Sequence, residues 1–411
     1  MAIRSSMHEV GGSLLERLLA QDPGYRGSRV DCGKGHQADF VDYRAKRLLT
    51  VLSCVGLTRA YYHCAPCGRG VVPRDSELDI VSTSFSPGVR RLMARVGGKE
   101  SFDEGRLDLR ELAGVVVKTK QVERVSEAIG TQIELLASRE RKAALAGKVV
   151  LLHPVPKMYV AIDGTGVPMT PREVKGRPGK DETGQAKTRE AKLGCVFTQT
   201  RLDDKGRPVR DEDSTTYVGA IEDAQEFGRR IFTEAIRRGS RRAEQIIALG
   251  DGAVWIWNIA DEHFPGAIQI VDLYHARQHI SDLAKVLYGP GTPRAKAWTE
   301  SRISELDAGE IETLIGSLNR LRPSTATGKD ETRKALAYLA TNAHRMRYAD
   351  FRRRGLFVGS GVVEAGCKTI IGHRLKQSGM RWTVRGANAI IALRCCELSG
   401  RWEAFWEARS A

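Results

Sequence analysis

The chain has 411 residues, 65 of them Lys or Arg and 50 Asp or Glu, for a formal net charge of +15. At 41% hydrophobic it can bury real cores, which excludes a disordered polar chain, and its basic balance favours a polyanionic partner, although charge alone does not choose DNA over RNA. The apolar runs stop short of the roughly 18 residues of a membrane span, the start lacks a signal-peptide layout, and eight cysteines over this length do not make a disulfide framework, so a reducing, intracellular, membrane-free setting is expected.

The length allows two to four domains, and no internal repeat is visible. An amphipathic helix is expected over Gly12 to Ala20, with Leu14, Leu15, Leu18 and Leu19 on one side. Two β-forming runs follow, Leu48 to Val55 and Thr58 to Tyr62, joined through Gly56-Leu57 as a two-residue hairpin turn. Cys32 and His36, then Cys64 and Cys67, flank that hairpin and make a closed tetrahedral zinc set if it brings its ends together, with His63 as a competing ligand. The other reading of this cluster is free thiols in a basic loop. Cys54, Cys195, Cys367, Cys395 and Cys396 lie in apolar stretches and read as packing residues.

Residues 88 to 147 are rich in Arg, Glu, Leu and Ala and read as helical. Within them, LDLRELAGVVVKTKQVERVSEAIG forms two helices joined at Ala113-Gly114, either a helix-turn-helix or an ordinary helical hairpin.

From Lys157 the pattern changes. MYVAID (158–163) is an apolar strand running into an acid, and Pro171 to Glu190 is a long polar loop. LGCVFTQT (193–200) and STTYVG (214–219) are further strands. Ala224 to Arg238 is an amphipathic helix, QIIALG (245–250) a strand ending at Asp251, residues 253–264 a helix stopped by Pro265, and AIQIVD (267–272) a fifth strand. A helical stretch, 273 to 355, precedes a helix carrying Glu364. Strands joined by loops pair antiparallel and strands alternating with helices pair parallel. The order therefore predicts an α/β fold, an RNase H-like mixed five-stranded sheet with flanking helices and an all-α insertion, preceded by a small zinc-binding β module and a helical region. The expected divisions are 1–87, 88–150, 151–272, 273–355 and 356–411.

That topology brings Asp163, Asp251 and Glu364 to one place, the carboxylate cluster that two-metal phosphoryl transfer needs around Mg²⁺ or Mn²⁺. Any one of them alone would read as a turn or helix cap. Gly164, Gly166 and Gly252 leave the backbone open beside the aspartates. At this point the chain resembles a known family. AIDGTGVPM, AKTREAKLGCVFTQT, LGDGAVWIWN, VDLYHA and GSGVVEAGCKTIIGHRLKQSGMRW look like bacterial insertion-sequence transposases of the ISKra type, allied to the Mutator-like DDE transposases, over roughly residues 30 to 405. The resemblance implies a DDE triad at Asp163, Asp251 and Glu364, a cytoplasmic, nucleoid-associated setting and an all-helical insertion filled by 273 to 355. It also favours a phosphate-contacting role for His275, three positions after Asp272, over a helix cap at Asp272 with a packed His275. CGKGH departs from the family's more frequent pair of cysteines.

Lys368, His373, Arg374, Lys376, Arg381 and Arg385, interleaved with Trp382, suit a DNA backbone approaching the metals. Arg345, Arg347, Arg352, Arg353 and Arg354 form another basic run, and Trp255 and Trp257 read as core. The expected function is a transposase that cuts transposon ends and joins them to target duplex DNA, working as a homodimer or higher homo-oligomer. Alternatives are an RNase H-like nuclease that hydrolyses without joining, and a DNA-binding regulator on a dead catalytic fold.

Overall fold

The computed structural model describes residues 2–147, 155–179, 184 and 186–410. Residues 180–183 and 185 of the expected polar loop, and the 150/151 division, lie outside the described residues. The chain divides into two compact units, Met1–Ile133 with Arg401–Ala411, and Glu134–Gly400. The last eleven residues thus join the first unit rather than the second.

The first unit opens with helix α1 (Ala2–Ala20), longer than expected and seated differently. Leu15 and Leu19 pack against buried Leu48, Val55, Leu57 and Ile80, whereas Leu14 and Leu18 face outward. Strands β1 (Arg29–Asp31), β2 (Gln37–Leu49), β3 (Cys54–Cys64) and β4 (Arg69–Val71) form an antiparallel four-stranded sheet in sequence order. The β2–β3 turn is not at Gly56-Leu57, since Gly56 sits inside β3 opposite Arg47. Thr50 makes the turn instead: its hydroxyl oxygen accepts the amides of Leu52 and Ser53, and its own amide donates to the Ser53 carbonyl at 2.9 Å. A short helix α2 (Pro73–Glu77) precedes α3 (Pro87–Lys99), α4 (Phe102–Ala113) and α5 (Thr119–Leu145). Ser101 starts α4 with a reciprocal capping box to Glu104, and Gly114 ends it in the left-handed conformation. The α4–α5 link is Gly114 to Lys118, and its Val115 and Val117 drop into a core with Val89, Met93, Leu109 and Val122. Helix α17 (Trp402–Ser410) belongs to this unit; its Arg409 pairs with Asp79 at 2.8 Å.

The second unit is built on β5 (Val155–Pro168), β6 (Thr188–Gln199), β9 (Thr216–Ala220), β10 (Ala243–Gly250) and β11 (Ile268–Val271), in the spatial order β11-β10-β5-β6-β9. The β5–β6–β9 pairs are antiparallel and the β5–β10–β11 pairs parallel, which is the RNase H-like mixed sheet. A small hairpin, β7 (Arg201–Leu202) with β8 (Pro208–Val209), was not legible. Helix α6 (Pro171–Val174) is a single turn; α7 (Ala224–Arg237), capped by Asp223, and α8 (Val254–His263) flank the sheet. The helical insertion is α9 (Leu273–Tyr288), α10 (Pro293–Ala308), α11 (Ile311–Asn319), α12 (Ala326–Asn342) and α13 (Tyr348–Arg353). Glu364 lies on the short α14 (Gly361–Gly366), which runs into a π-helical turn, Cys367–Gly372, then α15 (His373–Leu375). Helix α16 (Val384–Leu398) closes the fold, its Asn388 Oδ1 accepting the Ile221 amide at 2.7 Å.

Candidate active site and metal-binding cluster

Strand register decides where the acids lie. In the parallel β5–β10 pair Leu249 stands beside Ala161, and in β10–β11 Gly250 stands beside Val271. Two residues further along each chain from the first pairing, Asp251 comes level with Asp163; one step past the second, Asp272 comes level with both. Burial is the largest influence on Asp163 and raises its carboxyl above the usual range. Hydrogen bonds from Cys367 and from the Gly164 amide, at 2.7 Å, oppose that rise, the charge of Asp251 adds to it, and His275 opposes it. These influences set Asp163, Asp251, His275 and Cys367 in one neighbourhood.

Asp251 makes the turn after β10, its Oδ1 accepting the Ala253 amide at 2.9 Å. Gly252 follows at φ +101°, and a Cβ there would meet the Tyr338 ring at 2.6 Å. The Tyr338 hydroxyl donates to the Asp251 carbonyl at 3.0 Å, and His279 lies against that ring with centroids 4.2 Å apart. The insertion helices α9 and α12 thus fix the turn that carries Asp251. The glycines beside Asp163 do not open a channel: a Cβ at Gly164 would meet the Glu190 carboxylate at 2.5 Å, and one at Gly166 the Thr188 hydroxyl at 3.1 Å.

Helix α14 crosses the Asp163 face of the sheet, where Gly366 touches Leu193 and Tyr217 and Cys367 bonds Asp163. Burial and the Asp163 charge push the Cys367 thiol well up, so it stays protonated and donates. The Glu364 carboxylate pairs with Lys368, one helical turn on, at 2.6 Å. Asp272 is buried and does two structural jobs: Oδ1 accepts the His275 amide at 2.8 Å, capping α9, and Oδ2 accepts the Ser360 amide at the start of α14. It thereby ties the Glu364 helix to the sheet, a role sequence reading did not find. His275 itself is half-buried.

Among the basic residues, Lys368, His373, Lys376, Arg381 and Arg385 are exposed. Lys376 bonds the Thr165 hydroxyl, two residues beyond Asp163 on the same face. Arg374 corrects the expectation for that set. It is wholly buried, its guanidinium 5.0 Å from the Trp382 ring centroid, and belongs to packing rather than to a DNA contact. The run before α14 is also engaged within the protein: Arg347 with Glu312, Arg352 with Asp307, Arg353 and Arg354 with Asp350, and Arg345 over the Trp257 ring at 4.6 Å. Trp257 is core, as read, and Trp255 is half-buried under Lys192 at 5.0 Å.

In the first unit the two loops of the small sheet converge. Cys32 and His36 sit in the β1–β2 turn, Cys64 at the end of β3 and Cys67 in the β3–β4 turn, with all ligand atoms within 4.8 Å of one another. A tetrahedral zinc with bonds of about 2.3 Å to sulfur would set its sulfurs about 3.8 Å apart. Cys32 Sγ lies 3.8 Å from Cys67 Sγ, and His36 Nδ1 3.1 Å from it. His63 is outside this set. Among the described residues the three carboxylates do not draw together as closely as these four. Cys195, Cys367, Cys395 and Cys396 are buried as expected, but Cys54 is exposed at the start of β3.

The model of an uncharacterised protein family, UPF0236, matches residues 232–409, which takes in Asp251 and Glu364 but not Asp163. No curated protein matches the chain. Among solved structures, the Drosophila P element transposase strand transfer complex is 9% identical, with 82% of this chain and 84% of that one covered at a TM-score of 0.27. A likeness that faint carries nothing across to this chain's site.

Proposed function

We propose that this protein is a DNA transposase of the DDE type, which cleaves transposon ends and joins them to target duplex DNA with Asp163, Asp251 and Glu364 as its metal-binding carboxylates. The observation that carries the reading is the placement of Asp163 and Asp251 at one level on adjacent parallel strands, with the Glu364 helix crossing the same face and bonded to Asp163 through Cys367. The donor set is hard carboxylate oxygen, and the charge of Asp163, opposed by burial and by Asp251, is one that a cation relieves. The Glu364–Lys368 pair is exposed on both sides, and such pairs hold by about 0–1 kcal/mol, so Glu364 can turn from Lys368 to a metal. Magnesium or manganese held by these acids supplies Lewis-acid charge to the attacking and leaving oxygens of a phosphodiester.

The chain's own residues supply the rest. Cys367 steadies Asp163, Tyr338 steadies the Asp251 turn, and Asp272 anchors α14. Exposed Lys376 beside Thr165, with Arg381 and Arg385 further on, would draw a DNA backbone along the face where the acids lie. In the first unit, Cys32, His36, Cys64 and Cys67 would hold a structural zinc, and α4–α5 would read the transposon end. Substituting Asp163, Asp251 or Glu364 by Ala should each abolish Mg²⁺-dependent cleavage while leaving folding and DNA binding intact. Full activity in any one variant would remove that residue from the triad.

A further inference from the structure

Helix α1 is divided lengthwise into three stripes. The inner one, Gly11, Gly12, Leu15 and Leu19, seats on the sheet: a Cβ at Gly11 would lie 3.2 Å from Leu52, one at Gly12 would collide with the Ser53 hydroxyl, and Leu15 and Leu19 pack on the core beneath. Between them Glu16 accepts the Gly56 amide at 2.5 Å. A second stripe, with Ser5, Glu9, Ser13 and Arg17, is polar. The third is Ile3, Met7, Val10, Leu14 and Leu18, wholly apolar and left 53% to 83% exposed. Its spacing of three and four residues keeps it on one line for roughly 22 Å of helix. Scattered exposed apolar residues are ordinary, but five in one stripe on a well-seated helix mark a contact surface.

We infer that this stripe is a homodimer interface, in which α1 pairs antiparallel with α1 of a second copy about a two-fold axis beside Val10. The stripe's own symmetry identifies the occupant. Ile3 and Leu18 lie equally far from the Val10–Gly11 midpoint, as do Met7 and Leu14, so an antiparallel copy sets each large side chain against its counterpart. That is the self-complementarity an isologous contact demands. The stripe contains no charge to repel its twin. Leu112 adds apolar surface at the Ile3 end: Arg4 bonds its carbonyl at 3.2 Å, and its side chain is exposed. The area covered in two copies is on the order of 1,000 Å², the lower bound for a specific interface. This inference does not depend on the transposase reading.

Light scattering on the full-length protein across roughly 1–50 μM should show a shift from monomer to dimer mass. The variant Met7→Glu with Leu14→Glu should stay monomeric with an unchanged circular dichroism spectrum. Under mild oxidation Val10→Cys should form a covalent dimer well above wild-type background. Ile3→Cys should do so only when mixed with Leu18→Cys. A wild-type monomer throughout, a dimer that survives both glutamates, or Ile3→Cys linking to itself as readily as Val10→Cys would overturn the proposal.

Discussion

Asp163 shows how much a single carboxylate depends on its neighbours. Cys367 gives it a hydrogen bond that opposes the burial penalty, and a hydrogen bond to a charged group contributes about 1.5–3 kcal/mol. Cys367→Ala should therefore lower the cleavage rate by roughly tenfold or more, while Cys367→Ser, which keeps a donor, should retain most of it. Equal rates for the two variants would show that the thiol only fills space. At Gly252 two constraints act together: the φ of +101°, and the Tyr338 ring 2.6 Å from where a Cβ would stand. Gly252→Ala should cost about 1–3 kcal/mol of stability and displace the Asp251 turn. An unchanged melting temperature would mean that the turn relaxes freely and that Tyr338 does not hold it.

Among the elements, the strands that end in acids were the most legible. QIIALG and AIQIVD are short apolar runs stopped by an acid, and each is a strand at the expected place; MYVAID is a strand too, but β5 does not end at Asp163 and runs on, paired with β6, to Pro168. The first hairpin misled because its turn is made by the Thr50 hydroxyl, whereas Gly56, the stronger turn signal, is absorbed into β3. The N-terminal half of α1 was missed because Ser5, Ser6, Gly11 and Gly12 depress helix propensity; packing on the sheet overrides that weak preference. The burial of Arg374 was hidden for a different reason. The π-helical turn after Glu364 breaks the 3.6-residue rhythm from which its face would be read. The small β sheet makes the clearest prediction at this scale. Its fully buried metal-side core is Ala38, Ala60, Tyr62 and Cys64, with Val30, Phe40 and Val71 partly buried against it, which is little to hold four strands without a metal. Protein purified without chelators should contain about one zinc per chain, and Cys67→Ala should lose it together with the order of β1–β4. Metal-free protein with those strands intact by amide exchange would refute the assignment.

For the whole molecule, acid sensitivity follows from a buried ion-pair network in the second unit. Arg230 bonds Glu134 at 2.7 Å and Glu222 at 2.7 Å, and Arg141 also bonds Glu134 at 2.7 Å. Burial pushes the Glu134 carboxyl up, but the hydrogen bonds and charges of Arg230 and Arg141 prevail and hold it below the usual glutamate range. The unfolded chain therefore takes up this proton before the folded one. The stabilisation is whole above the ordinary glutamate range and disappears as pH falls through the lowered value. Arg230→Met, which leaves Glu222 buried without its cation and Glu134 with Arg141 alone, should cost about 3 kcal/mol near neutral pH and much less in acid. A urea-midpoint loss equal at both pH values would count against that network. The proposed activity is chemistry on DNA, and joining is what separates a transposase from a nuclease on the same fold. The most direct measurement is strand transfer by the full-length protein: a labelled duplex carrying the inverted repeat expected beside the gene, a supercoiled target plasmid, and Mg²⁺ or Mn²⁺. Labelled end should be covalently joined to plasmid with the wild-type protein, and none should be joined with Asp163→Ala, Asp251→Ala or Glu364→Ala. Hydrolysis without any joined product, or joining that survives loss of one of these acids, would contradict the proposed activity.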